Sequence, residues 1–160
     1  MKKVKAIPEG SPQLIAYISV NDAPKAIEFY TKAFGAIETG RLVMHDKTIG
    51  HAELRIGDST LMLSEENKQW NNFSPRTLKG TTVGLCLYVE DVDSVFARAI
   101  KEGATIEGGM EVQNQFYGDR SGTCIDPFGH KWTIATHIED VAWDEMQKRM
   151  ETMAANNAAS

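Results

Sequence analysis

The feature that most constrains this chain is an internal repeat. Val20 and Asp22 recur as Val89 and Asp91 at a spacing of 69 residues, and His51 meets Arg120 at the same spacing. Around these markers each half reads β-α-β-β-β. In the first, Leu14 to Val20 is a mostly apolar strand, and Asn21-Asp22 supplies a helix N-cap. Ala23, Ala26, Ile27, Tyr30, Ala33 and Phe34 then recur at helical spacing, and Gly35 suits the C′ position. Strands are expected near 36–44, 49–56 and 60–64, with Gly57-Asp58 turning between the last two. In the second half, Val83 to Val89 is the strand and Asp91 the cap. Val92, Val95, Phe96, Ala99 and Ile100 form the apolar helix face, and Gly103 ends it. Strands follow near 104–112, 119–125 and 132–136, and Asp126-Pro-Phe-Gly fits a type I turn. Neither half is large enough to bury a core alone, so the two are expected to pair.

The remaining segments attach to this plan. Residues 1–12, with two prolines and a glycine, read as a loose leader. Residues 67–82 are polar and carry Trp70, Phe73 and Pro75, as a linker or a lid would. From about Asp140 a helix is expected, with Trp143, Met146, Met150 and Met153 along one stripe and Asp144 and Glu145 favourably placed in its first turn. That stripe would pack on the domain or across a homodimer, and residues 156–160 are expected to fray. The organisation is therefore one domain over 1–139, with module 1 at about 14–66, the linker at 67–82 and module 2 at about 83–137. A helix and tail follow at 140–160.

Charge and cysteine content narrow the partners. A formal charge of −5 and a pI near 5.4 argue against nucleic acid and anionic membrane. The basic start Lys2-Lys3-Val4-Lys5 is too short to alter this and lacks the apolar run of a signal peptide. No stretch approaches a membrane span, and a cytoplasmic location is expected by default. Cys86 and Cys124 both sit in apolar runs and are expected to be buried, reduced thiols.

Strand alternation nominates the polar candidates. Ala52, Leu54 and Ile56 share one face, so His51, Glu53 and Arg55 point the other way. Tyr17 and Ser19 on the first strand, with Cys86 and Tyr88 on its counterpart, should face the same side. By the constant offset Arg120 joins them. His51 and Glu53 are candidates for proton transfer, although Glu53 reads equally well as a carboxylate paired with Arg120 or Arg55. Arg120 is the candidate anion ligand, because a guanidinium holds a carboxylate or phosphonate by two parallel hydrogen bonds. An ion pair with Asp119 or Glu53 is its structural alternative. His130 follows a turn glycine and reads as a surface or turn-packing residue.

Four stretches carry a resemblance: Ile27-Glu-Phe-Tyr-Thr-Lys-Ala-Phe-Gly35, His51-Ala-Glu-Leu-Arg-Ile-Gly-Asp58, Leu87-Tyr-Val-Glu-Asp-Val-Asp93, and Tyr117-Gly-Asp-Arg120 with Asp126-Pro-Phe-Gly-His130. They resemble the vicinal oxygen chelate superfamily (glyoxalase I, extradiol dioxygenases, bleomycin- and fosfomycin-resistance proteins), and more narrowly its PhnB-like branch. The likeness implies an α+β fold of two paired β-α-β-β-β modules, their curved mixed sheets enclosing a cavity, with the C-terminal helix added. In the metal-dependent members each module supplies one ligand from its first strand and one from its last. Those positions match Tyr17, Leu61, Cys86 and Thr133 here, and only Cys86 is a good ligand type. No metal and no cofactor are therefore expected. The leading expectation is metal-independent binding of a small anionic or aromatic molecule through Arg120, Tyr17, Cys86, Tyr88, Trp70, Phe73 and Tyr117. The alternatives are a lyase, isomerase or transferase-like enzyme using His51 and Glu53, metal-assisted or not, and a pocket serving only protein partnering.

Overall fold

The computed structural model describes residues 4–158. The expected leader therefore lies partly outside the described residues, as do Ala159 and Ser160. The chain divides into two compact units: residues up to Thr82 together with Pro127–Gly129, and Val83–Asp126 together with His130 onward.

The first unit holds β1 (Ala16–Val20), α1 (Ala23–Phe34), β2 (Ile37–Val43), β3 (Ile49–Ile56) and β4 (Ser59–Glu65). Its sheet runs β1-β4-β3-β2, with β1 parallel to β4 and the other pairs antiparallel. Helix α1 starts where the sequence places it, because the Asp22 carboxylate accepts the Lys25 amide at 3.1 Å. It stops at Gly35, whose φ of 69° lets its amide turn back to the Thr31 carbonyl. The helix buries Ala26, Ile27, Phe29, Tyr30 and Ala33, and the sheet buries Val20, Ala52, Leu54 and Leu63. Each large side chain buried this way contributes roughly 1.5–3 kcal/mol. Phe128 belongs to this unit too, its ring 6.3 Å from Phe29 and 6.2 Å from Tyr30. The segment after β4 forms a 3-10 turn (Lys68–Trp70) and a one-turn helix, α2 (Pro75–Leu78), capped by Ser74. Glu66 fastens it by accepting the Ser74 amide and the Thr77 hydroxyl.

The second unit holds β5 (Gly84–Tyr88), α3 (Val92–Lys101), β6 (Thr105–Ile106), β7 (Gln113–Asn114), β8 (Asp119–Ile125), β9 (Lys131–His137) and α4 (Trp143–Ala158). Its sheet runs β5-β9-β8-β6, with β7 also on β8 and β5 parallel to β9. Asp91 caps α3 through the Ser94 amide, as Asp22 caps α1. The strand expected over 104–112 is reduced to β6, Thr105–Ile106, with the separate fragment β7 following at Gln113–Asn114. Gly108 and Gly109 take φ of 53° and 76°, which an extended strand cannot contain. Asp126, almost fully buried, accepts the His130 amide and the Trp132 indole N–H, each at 2.9 Å, and so locks the β8–β9 turn, where His130 is buried. Helix α4 continues to Ala158, past the point where fraying was expected.

Two sequence expectations need correction. Cys124 is buried as expected, and burial first, then the Asp126 charge, pushes its thiol up to about 12. Cys86 is exposed, because β5 is an edge strand. The second correction concerns the repeat. Its spacing is 69 residues at Tyr17/Cys86, but the strand registers make it 70 at Glu53/Thr123 and 71 at Met62/Thr133. The chain runs 9 residues from Glu53 to its partner Met62 and 10 from Thr123 to its partner Thr133, which is the last step. Ser121 rather than Arg120 is therefore the counterpart of His51, and a one-residue slip reverses the face. No helix among the described residues is long and apolar enough to cross a membrane.

Candidate functional site

In the first unit the sheet face opposite α1 carries a chain of polar contacts. Tyr17 on β1 and His51 on β3 meet through the phenol oxygen and Nδ1 at 3.0 Å, with ring centroids 5.5 Å apart. His51 Nε2 then lies 3.3 Å from Glu53 Oε1. Strand parity places His51 and Glu53 together, and the β1–β4–β3 order brings Tyr17 within reach. Ser19 donates to Asn72, which donates in turn to Ser64 at 3.1 Å. Glu65 accepts the Ala23 and Ile49 amides, so it serves the backbone.

In the second unit the equivalent face is built around a buried carboxylate. Asp119, at the start of β8, accepts the Tyr88 hydroxyl of β5 at 2.6 Å on one oxygen. Its other oxygen lies 2.8 Å from His137 Nδ1, at the end of β9. His137 Nε2 is 3.0 Å from Asp140, whose own side chain is fully exposed. The two carboxylates, Asp119 first, raise the pKa of His137, because both ring nitrogens donate only in the imidazolium. Asp119 likewise holds the proton on Tyr88, pushing it up to about 12. Apolar surroundings first, and Asp119 second, raise the Cys86 thiol, so this exposed cysteine is a weak nucleophile. Tyr117 approaches the same face, its hydroxyl 3.1 Å from Ser121.

Over this face lies a pocket of about 470 Å³. Tyr88, Asp119 and His137 contribute the sheet side, and Phe116 and Tyr117 the approach to β8. Helix α4 supplies Trp143, Met146, Gln147 and Met150. Its stripe was legible from the sequence, but its contribution to a pocket was not. The helix is fastened by Arg149, which donates to Glu139 at 2.7 and 2.9 Å, to Glu145 at 3.1 Å and to the Phe116 carbonyl at 3.3 Å. Gly118 sets the approach. With φ of 97° it packs so closely that a Cβ would lie 2.1 Å from the Glu139 carbonyl oxygen.

The sequence candidates thus fall into groups. Tyr17, His51 and Glu53 form one cluster, and Tyr88 and Tyr117 line the pocket of the second unit. Trp70 is exposed and Phe73 half-buried in the segment after β4. Arg120 is a correction: its expected partners were Glu53 or Asp119, but it faces α3. There its guanidinium grips Asp93 by two bonds of 2.7 and 2.8 Å and donates to Asn114 at 3.1 Å. Gly122, two residues on, also faces α3 at Phe96, which confirms the parity. Asp119 had been considered only as an ion-pair partner. His137 was missed because the last strand was ended one residue early, although alternation from Thr133 and Ala135 points to it.

The metal positions are corrected in the same way. Tyr17 pairs in register with Met62, so Met62 and not the buried Leu61 is the counterpart of Thr133. Phenol, thioether, thiol and hydroxyl offer neither a carboxylate nor an imidazole to a divalent cation, and they do not fit one. Among the described residues no group of three or more His, Cys, Asp or Glu side chains is placed to hold a metal.

Comparison with known proteins agrees with this architecture. An uncharacterised protein of Mycobacterium tuberculosis H37Rv is 41% identical over 144 residues, covering 88% of this chain and 84% of the relative. Among solved structures, PA1353 from Pseudomonas aeruginosa superposes with a TM-score of 0.66 at 20% identity, over 81% of this chain and all of its own. TioX from Micromonospora sp. ML1 gives 0.62 at 23%, over 80% and 100%. A PhnB protein from Bacillus cereus gives 0.60 at 17%, over 78% and 99%, and these three likenesses show the fold alone. The family model for the glyoxalase/bleomycin resistance protein/dioxygenase superfamily matches residues 13–134, and the chain belongs to that superfamily.

Proposed function

We propose that this protein binds a small aromatic molecule, without a metal, in the pocket between the β8–β9 face and α4. The observation that carries this reading is the pocket wall. Tyr88, Phe116, Tyr117 and Trp143 present rings around about 470 Å³, with Asp119 and His137 as the polar groups that would fix orientation. The anionic half of the sequence expectation loses its carrier, since Arg120 faces α3. Met146 and Met150 suit a ligand of irregular outline, because thioether side chains repack easily. A thermal-shift screen of small aromatic compounds, with and without added divalent metals, tests the proposal. Hits should be unaffected by metal and lost in Trp143→Ala. Hits that need metal, or that persist in Trp143→Ala, would refute it.

A second reading is favoured by the hydrogen-bonded run Tyr17–His51–Glu53. A carboxylate that orients an imidazole, itself in contact with a phenol, is an arrangement for proton transfer. In that case the protein turns over a ligand, and His51→Gln abolishes turnover while the fold remains cooperative. We also propose that the exposed part of the α4 stripe, Trp143 and Met153, associates with a second copy. Sedimentation of the full chain against one ending at residue 139 checks this, with a dimer expected only for the former.

A further inference from the structure

The wall of the α4 pocket carries charge of one sign. It holds the buried Asp119 and the aromatic faces of Tyr88, Phe116, Tyr117 and Trp143, but no lysine or arginine. The guanidiniums of Arg149 on α4 and Arg120 beside Asp119 are committed elsewhere, Arg149 to Glu139 and Glu145 and Arg120 to Asp93. His137 brings at most one positive charge between two carboxylates, Asp119 and Asp140. These three groups therefore sum to a negative charge in either state of the imidazole. Aromatic faces are the negative ends of ring quadrupoles and attract cations. A ligand anion entering here would meet a carboxylate with no free counter-charge.

We propose that the pocket selects planar aromatic molecules bearing a positive charge, such as N-alkylated heteroaromatics or aryl-ammonium compounds, over neutral and anionic isosteres. This rests on the pocket reading given above. The cation and the His137 proton neutralise the same carboxylates, so binding the first expels the second and affinity rises with pH. The other groups facing His137 do not mask this. Tyr88 on β5 keeps its proton on Asp119, and the Cys86 thiol, also on β5, is held neutral. Tyr117 meets Ser121, and α4 contributes only Trp143, Met146, Gln147 and Met150 to the wall. On the connection to α4, Glu139 is taken by Arg149, leaving Asp140 as the facing acid.

Calorimetric titration of the full chain with three isosteres tests this: N-methylquinolinium as cation, 2-naphthamide as neutral and 2-naphthoate as anion. The cation should bind about tenfold tighter than the amide. Its affinity should rise from about pH 6 to about pH 8.5, across the histidine range, while that of the amide stays level. Asp119→Asn should erase the preference. Should that variant not fold, Asp140→Asn, at an exposed position, should narrow the preference and flatten the pH profile. Equal or tighter binding of the amide, lost in Trp143→Ala, overturns the charge selection and leaves the pocket reading standing. A cation preference unchanged in both Asp140→Asn and Trp143→Ala places the binding elsewhere and overturns the inference. Failure of all three probes to bind overturns inference and pocket reading together.

Discussion

Each module builds a cluster of a tyrosine, a histidine and a carboxylate, at positions that are not equivalent in the repeat and with different centres. Module 1 joins Tyr17 to His51 and His51 to Glu53, so an imidazole sits in the middle. Module 2 joins Tyr88 to Asp119 and His137 to Asp119, so a carboxylate sits there. A half-exposed histidine between a phenol and a glutamate has water as an alternative partner for every group. A buried carboxylate does not, and its oxygens must be met by donors, which is why Tyr88 and His137 hold their protons tightly. The modules differ as well in what covers them. Helix α4 follows only the second, so the pocket arises from an appended element rather than from the repeat itself.

Glycines offer the sharpest way to separate the modules. Gly118 and Gly57 both take positive φ, 97° and 59°, yet a Cβ at Gly57 meets nothing within 4 Å, whereas one at Gly118 meets the Glu139 carbonyl at 2.1 Å. Gly57→Ala should cost only the left-handed backbone strain, roughly 1 kcal/mol. Gly118→Ala must also push the α4 connection off the sheet, and should cost about 4 kcal/mol or more. At this chain length that lowers Tm by roughly 10 °C, and it should open the pocket as well. Equal Tm losses for the two variants would mean that α4 is not seated through Gly118.

The helix-facing positions show compensation in side-chain volume. With the register corrected to 70, Gly122 is the counterpart of Ala52, and Phe96 of module 2 is the counterpart of Ile27. A Cβ on Gly122 would stand 2.8 Å from the Phe96 ring and 3.0 Å from Val112. Ala52 is fully buried in a module that carries the smaller Ile27. Gly122→Ala should therefore destabilise by about 2–3 kcal/mol through overpacking. Adding Phe96→Ile, which restores the module 1 combination, should recover part of that. Denaturant unfolding of both variants measures the coupling, and strict additivity would break the correspondence.

The central groups predict different acid–base behaviour. Asp119→Asn leaves one acceptor oxygen for Tyr88 and His137 and turns a donor towards the other, and should cost about 1–2 kcal/mol, whereas Glu53→Gln, at a partly exposed site, should cost less than about 1 kcal/mol. Because the folded pKa of His137 is raised, its contribution to stability is complete below the unfolded value, near ~6.5, and is lost as pH rises through the folded value. The wild-type unfolding midpoint should thus fall over that window, and in Asp119→Asn the fall should shrink. Proton NMR of the imidazoles should show the His137 titration moving down towards the ordinary range in Asp119→Asn. No movement would remove Asp119 from the centre of the cluster.

What the sequence disclosed was local, and what it concealed depended on distance along the chain. Asp22, Asp91 and Gly35 announce helix ends because capping chemistry lies within four residues of the cap. Ile27 and Phe96 announce the cores, and Ala52-Glu53-Leu54 announces a strand with one polar face. The face of β8 stayed hidden because one extra residue enters the second module between α3 and β8, which a constant offset cannot carry. Strand parity turns that small difference into a reversed side chain. The stripe of α4 was visible, but its seat against Phe116 and Tyr117 depends on Arg149 reaching the Phe116 carbonyl 33 residues back. His137 lay one residue past the expected strand end, at the kind of boundary that local propensity places least well.

Arg120 gives the smallest expected effect and the most direct test of the reversed face. Held to a constant spacing it would stand beside Asp119 in the ligand site, and its loss would abolish anion binding. In the structure it is only partly exposed and grips Asp93, itself more exposed, at the first turn of α3. An exposed pair of this kind contributes little even with good bidentate geometry, since water competes for both partners. The aliphatic stem lies over the α3 side of the sheet, and leucine keeps much of that packing. Arg120→Leu should therefore barely change the unfolding midpoint, raise the Asp93 carboxyl back towards its ordinary range and leave aromatic ligand binding unchanged. Arg120→Lys should be nearly silent on stability, although a single ammonium cannot reproduce the two-bond grip. Loss of ligand affinity in Arg120→Leu, with the fold cooperative, would return Arg120 to the pocket side and undo the register assigned to module 2.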